Sequence, residues 1–156
     1  MSTKIHLAGE GNGRPLAVVL TPGQRHESTQ LEAVLDRIRV PRRHPDGQPK
    51  RGRPRKRPTR LVGDKGYSYR RCRRALRRRG IAHMIPERRD ERRRRREKGS
   101  RGGRPCRYSR EQYRHRSQVE RLVNRLKRWR RIATRYEKRA ENYLAFVLIG
   151  CLILWL

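Results

Sequence analysis

Short apolar segments separated by strongly basic stretches set the layout of this chain. Ile5 and Leu7 alternate with polar neighbours, Asn12-Gly13 supplies a turn, and Leu16 to Leu20 is an apolar run; together these predict a β-hairpin. Past Thr21-Pro22-Gly23, the residues Leu31, Val34, Leu35 and Ile38 keep the i, i+3, i+4, i+7 spacing of an amphipathic helix over about 28–39. Arg60 to Gly63 reads as a short strand delivering Asp64 at its end, residues 69–79 as a helix capped by Gly80, and Ile81 to Ile85 as a strand closed by Pro86. From Ser109 the helical pattern runs to about Glu137, and a last apolar helix starts near Ala140. The predicted class is α/β, in the order hairpin, helix, strand, helix, strand, loop and two helices.

Composition pulls against that reading. Leu, Ile, Val and Phe make up 30 of 156 residues and the net charge is +31, values typical of chains that cannot bury a core. The apolar residues are clustered, however, which fits one domain of ordered elements joined by charged connections. Two such connections stand out: a basic linker over 41–59 and an Arg-rich loop over 87–107, which holds 11 basic and 4 acidic residues and is predicted to be mobile and solvated.

The charge makes polyanions the expected partners, DNA or RNA by default, because each phosphate neutralised releases counterions. Cys72, Cys106 and Cys151 are isolated from one another, and the five histidines are scattered, so neither a zinc site nor a disulfide framework is expected. The opening residues lack the apolar stretch of a secretory signal, which implies a cytoplasmic, nucleoid-associated protein. The terminal run 143–156 is shorter than the ~18–20 residues needed to cross a bilayer and reads as a buried helix, with a tail anchor as the alternative.

Candidate chemistry lies on the long predicted helix. Val119, Leu122, Val123, Leu126, Ile132 and Ala133 form its apolar stripe. At ~100° per residue, Tyr113, Arg116, Glu120 and Lys127 fall within about 60° of one another on a second stripe. One helix could so present a phenol, a guanidinium, a carboxylate and an ammonium to a shared site. Asp64 at a strand end offers Glu120 a second carboxylate. Such carboxylates can hold paired magnesium ions about 3.5 to 4 Å apart, activating a water or 3'-hydroxyl and stabilising the leaving oxygen of a phosphodiester. The competing reading is a solvated helix face laced with i, i+4 ion pairs.

The spacing Tyr113, Arg116, Glu120, Lys127 resembles the signature of bacterial insertion-sequence transposases of the DDE class. Asp64-Lys65-Gly66-Tyr67 resembles the second-aspartate box of that family, residues 130–138 its following stretch, and Thr3 to Ala8 with Thr21 to Gln24 its hairpin region. The resemblance spans nearly the whole chain. It implies a ribonuclease-H-like fold, with Asp64 and Glu120 as second and third acidic residues of a two-metal Mg2+ site that Mn2+ could also fill. It further implies that Tyr113, Arg116 and Lys127, with Lys65, contact transposon-end DNA. The family's first acidic residue lies upstream of the Thr3–Ala8 strand. The chain is therefore expected to be the C-terminal part of such a catalytic domain, lacking the first, central strand and inactive alone, either a decayed remnant or a downstream half completed by an upstream one; a homodimer is a further possible partner state.

Arg51-Gly52-Arg53-Pro54-Arg55-Lys56 resembles an AT-hook, whose extended Gly-Arg-Pro core lies in the narrow minor groove of A·T-rich DNA. The rival function is accordingly a non-catalytic basic DNA-binding module that uses this linker and the Arg-rich loop. Trp129 has two readings as well, packing between helices or stacking on an unpaired base near a cut end.

Overall fold

The computed structural model describes residues 2–156. The chain folds as two compact units. One takes the residues up to Arg57 together with Ser117–Leu156, the other Pro58–Arg116.

The first unit opens with the predicted hairpin. Strands β1 (Thr3–Gly9) and β2 (Pro15–Pro22) pair antiparallel, Ile5 opposite Leu20 and Leu7 opposite Val18, with an irregularity at Ala8/Gly9. Gly13 turns the chain at φ 80, a conformation in which a side chain would be strained. Helix α1 (Leu31–Arg37) follows a 3-10 turn at Glu27–Thr29, burying Leu31, Val34 and Leu35 as their spacing requires. Arg37 donates to the Val18 carbonyl at 2.9 Å, a charge-assisted tie between α1 and the hairpin.

The expected single helix from 109 to 137 is instead α4 (Arg110–Arg114), α5 (Arg116–Leu126) and α6 (Arg130–Ala133), the first lying in the second unit and α5 starting at the boundary. The break before α6 has a tertiary cause. Trp129 adopts extended backbone and packs, half-buried, on the cluster of Val18, Leu126, Ile132, Tyr143, Val147 and Cys151. The Tyr143 hydroxyl, buried there, donates to the Ile132 carbonyl at 2.7 Å. Gly150 allows close packing in this cluster: a Cβ there would lie 2.7 Å from Ile132 Cδ1 and 3.2 Å from Leu126 Cδ2, so those side-chain ends would have to shift.

Helix α7 (Ala140–Ile153) begins where expected, but only one side is buried: Tyr143, Val147, Gly150 and Cys151 face the core, while Leu148, Ile149, Leu152 and Ile153 are exposed. Burial pushes the Cys151 thiol up to about 11, so it stays an inert packing group. Among the described residues no helix is long and apolar enough to cross a membrane.

The basic linker is a folded arm. Val40 and Arg55 exchange backbone hydrogen bonds at 3.0 and 2.8 Å, and Arg43 bridges Pro49. At the tip, His44 N–H donates to Gln48 O and Gly47 N–H to His44 O, both at 2.9 Å, while Gln48 N–H donates to the Asp46 carboxylate at 3.0 Å. Pro45, Asp46 and Gly47 (φ 85) thus form a three-residue hairpin loop whose proline, Asx turn and left-handed glycine each suit their place.

In the second unit β3 (Arg60–Val62) runs parallel to β4 (Ala82–Met84), joined by α2 (Arg70–Arg78). Gly80 (φ 63) ends α2 as predicted. Leu76 and Ile85, among the largest fully buried side chains, anchor this crossover, each contributing about 1.5–3 kcal/mol of burial. The predicted mobile loop at 87–107 contains α3 (Arg89–Glu97) and a 3-10 turn at Gly99–Gly102. Asp90 and Glu91 in its first turn and Arg94 to Arg96 in its last complement the helix dipole, a signal that the overall charge count conceals. The two sheets are two-stranded, so the architecture is mixed α/β with small sheets.

Candidate functional site

Asp64 sits where β3 stops. Gly63 precedes it because the strand runs close to its neighbours: a Cβ there would meet Ile85 Cγ1 at 3.3 Å, and its N–H donates to the Met84 carbonyl at 3.0 Å. Asp64 takes extended backbone and caps the short 3-10 turn Lys65–Tyr67, Oδ1 accepting from Lys65 N–H at 2.6 Å. The other oxygen, Oδ2, accepts from Arg116 Nη2 at 3.2 Å. Asp64 and Arg116 are 52 residues apart, and the fold of the second unit brings them together. The pair is open to solvent, with 46% of the Asp64 side chain and 31% of Arg116 exposed.

The surrounding frame is stiff. Ser68 is buried and its hydroxyl donates to Glu91 at 3.1 Å. Arg73 clamps the Ser68 and Ile85 carbonyls at 3.0 and 2.9 Å, tying the start of α2 to the end of β4. Arg88 donates to the Tyr69 hydroxyl at 2.9 Å and forks onto Asp90 at 3.2 and 2.7 Å. Arg95 forks onto Glu87 at 3.1 and 3.0 Å, and its hydrogen bonds hold the Glu87 carboxyl below the usual carboxylate range against the opposing pull of burial. None of these three acids has a role assigned from sequence; the i, i+3 pair Arg88/Glu91 and the acidic first turn are the available signals.

The remaining predicted site residues are distributed as follows. Tyr113 is on α4, its ring 5.6 Å from that of Tyr108, and Arg116 opens α5. Glu120 is exposed on α5, and Lys127 is exposed one residue past its end, both in the first unit. The stripe that periodicity placed on one helix is therefore shared by α4, α5 and the turn beyond. Lys65 is exposed beside Asp64. Trp129 takes the packing role in the first unit described above.

Asp64 and Glu120 each offer carboxylate oxygens in solvent-accessible positions, donors of the kind that hard divalent cations take. Among the described residues, no group of three or more His, Cys, Asp or Glu side chains gathers at metal-holding distance.

Of the residues that the resemblance implies share a site, the second unit joins Asp64 and Arg116, in an ion pair rather than the Asp64–Glu120 carboxylate pairing expected. The profile of the transposase DDE domain matches residues 1–156, and the chain belongs to that family. It is 37% identical over 154 residues, 98% of this chain and 63% of the other, to a Burkholderia cepacia protein assigned as the transposase for insertion sequence element IS402. A Brucella ovis protein assigned to insertion sequence element IS6501 is 46% identical over 44 residues, 28% of this chain and 34% of its own length. The chain thus spans less than two thirds of these relatives. No solved structure matches it significantly.

Proposed function

We propose that this chain supplies part of the catalytic domain of an insertion-sequence transposase, which cleaves phosphodiesters at the element's ends and joins the freed 3'-hydroxyls to target DNA. The observation that carries the reading is the Asp64–Arg116 pair, two signature residues distant in sequence and joined at an open strand end. The parallel β3–α2–β4 crossover is consistent with a ribonuclease-H-like domain whose sheet is completed by further strands.

In this reading Asp64 and Glu120 hold divalent metal. Bound Mg2+ supplies Lewis-acid stabilisation of the attacking and leaving oxygens. Arg116 pairs with Asp64 in the free protein, and with that carboxylate given to a metal its guanidinium would be available to a DNA phosphate. Lys65, Tyr113 and Lys127 hold the backbone on either side of the scissile bond, Lys65 and Lys127 through charge and Tyr113 through its hydroxyl. The matched signature supplies two acids, and the third comes from another segment, as an upstream half in the same or a companion polypeptide.

The test combines this chain with the part of the Burkholderia protein that the match leaves out, and assays cutting and joining of DNA carrying the element's ends. The expected result is Mg2+-dependent cleavage that Asp64→Asn or Glu120→Gln abolishes. Cleavage that survives both substitutions sinks the assignment, and DNA binding without any cleavage favours a purely binding module.

A further inference from the structure

We propose that the arm formed by residues 41–57 is a minor-groove reader, with Arg51, Arg53 and Arg55 entering the narrow groove of A·T-rich duplex DNA. The proposal rests on the reading of DNA as the substrate, but it concerns a surface outside the acidic site and its signature.

Three observations carry it. First, the arm has a defined shape. The Pro45-Asp46-Gly47 loop and the Val40–Arg55 and Arg43–Pro49 bridges fold it back on itself as a narrow antiparallel ribbon. At about 3.3 Å per residue, the strand from Val40 to the tip projects roughly 20 Å. Second, its charge is unspent. Every residue from 41 to 57 is exposed, and the arm holds eight Lys and Arg against one Asp. Among the described residues no ion pair engages any of those eight cations, and the one carboxylate, Asp46, is occupied in shaping the tip. Keeping so many like charges together in an ordered element is unfavourable by itself, and a polyanion relieves it.

Third, the returning strand has the right cross-section. From Arg51 to Arg57 every second residue is Arg, and the positions between the first three are Gly52 and Pro54, which carry no long side chain. Gly52 stands at φ 124, a bend that a residue with a side chain would resist. The minor groove is about 6 Å wide, and its negative potential deepens where A-tracts narrow it, so a thin Arg-bearing strand fits there. The minor groove of double-stranded RNA is wide and shallow, and offers no such slot.

The experiment measures binding of the full chain to short A·T-tract and G·C duplexes over a salt series, in EDTA so that no cleavage occurs. The wild type is expected to bind the A·T tract several-fold more tightly. The triple variant Arg51→Gln/Arg53→Gln/Arg55→Gln is expected to lose that preference, with a log–log salt slope shallower by about 2 to 3, at roughly 0.9 per lost phosphate contact. The Lys triple variant keeps the charge, so it should hold the slope and lose much of the preference. Equal slopes for wild type and Gln variant, equal affinity of the wild type for both duplexes, or tighter binding to double-stranded RNA would each overturn the proposal. An arm-dependent slope, with no Mg2+-dependent cleavage when the chain is combined with the part of the Burkholderia protein that the match leaves out, keeps the arm and removes the transposase reading; cleavage in that combination with arm-independent binding does the reverse.

Discussion

Residues 41–57 and 87–102 are both strongly basic, and both read as unstructured from composition. Both are ordered, for opposite reasons. In the second stretch the acids fall where cations can reach them: Glu87 takes a fork from Arg95, Asp90 one from Arg88, and Glu97 pairs with Arg93 one turn away. Those pairs lie within residues 87–97, so much of the charge is consumed internally, and the Ser68–Glu91 and Arg88–Tyr69 hydrogen bonds tie the stretch to the residues before α2. In the first stretch a single acid closes a turn, and backbone bridges alone hold the shape. Charge density therefore decides neither order nor role; the number and placement of carboxylates do.

That contrast can be broken most forcefully at Arg95. Glu87 keeps only 13% of its side chain exposed, so Arg95→Met, which removes the fork from a shielded carboxylate, is expected to destabilise the protein more than any substitution on the arm, with loss of α3. Chemical denaturation and helix content check it, and Arg53→Met, on the arm, should leave both unchanged.

The same pair has a pH signature. Arg95 lowers the folded-state pKa of Glu87, so its contribution is fully present above the ordinary value of 4.5 and is lost as pH falls through the lower, folded value. Stability measured against pH through the acid range should therefore fall more steeply in the wild type than in Arg95→Met. Parallel curves would mean that the fork adds nothing.

A smaller effect is expected at the arm tip. Gly47→Ala at φ 85 should loosen the loop by about 1 kcal/mol without moving global unfolding, because no core residue depends on it. Faster proteolysis confined to residues 41–57 is the readout. A drop in global stability would show that the arm is structural.

How far these elements were legible follows from what holds each one. The hairpin, α1, β3, α2, β4 and the start of α7 are set by local period and turn chemistry, and they emerge near their predicted bounds. The divided helix was hidden, because Trp129 leaves helical geometry to pack on a cluster containing Val147 and Cys151, contacts that no window around residue 129 contains. The arm was hidden differently. Its Pro-Asp-Gly signal was present, but its flanks are Arg rather than apolar, and the usual hairpin pattern gives such flanks no weight. At the candidate site, periodicity groups Tyr113, Arg116, Glu120 and Lys127, whereas nothing local links Arg116 to Asp64; their ion pair comes from the fold of the second unit.

The central claim, that Asp64 and Glu120 are metal-holding carboxylates, is tested most directly by combining this chain with the part of the Burkholderia protein that the match leaves out, replacing Mg2+ with Fe2+ and adding ascorbate and peroxide, so that radicals formed at the bound ion cut the nearby backbone. The account predicts fragments ending close to residues 64 and 120, suppressed by excess Mg2+ and weakened by Asp64→Asn or Glu120→Gln. Cuts that fall elsewhere, or that persist unchanged in both variants, would contradict it.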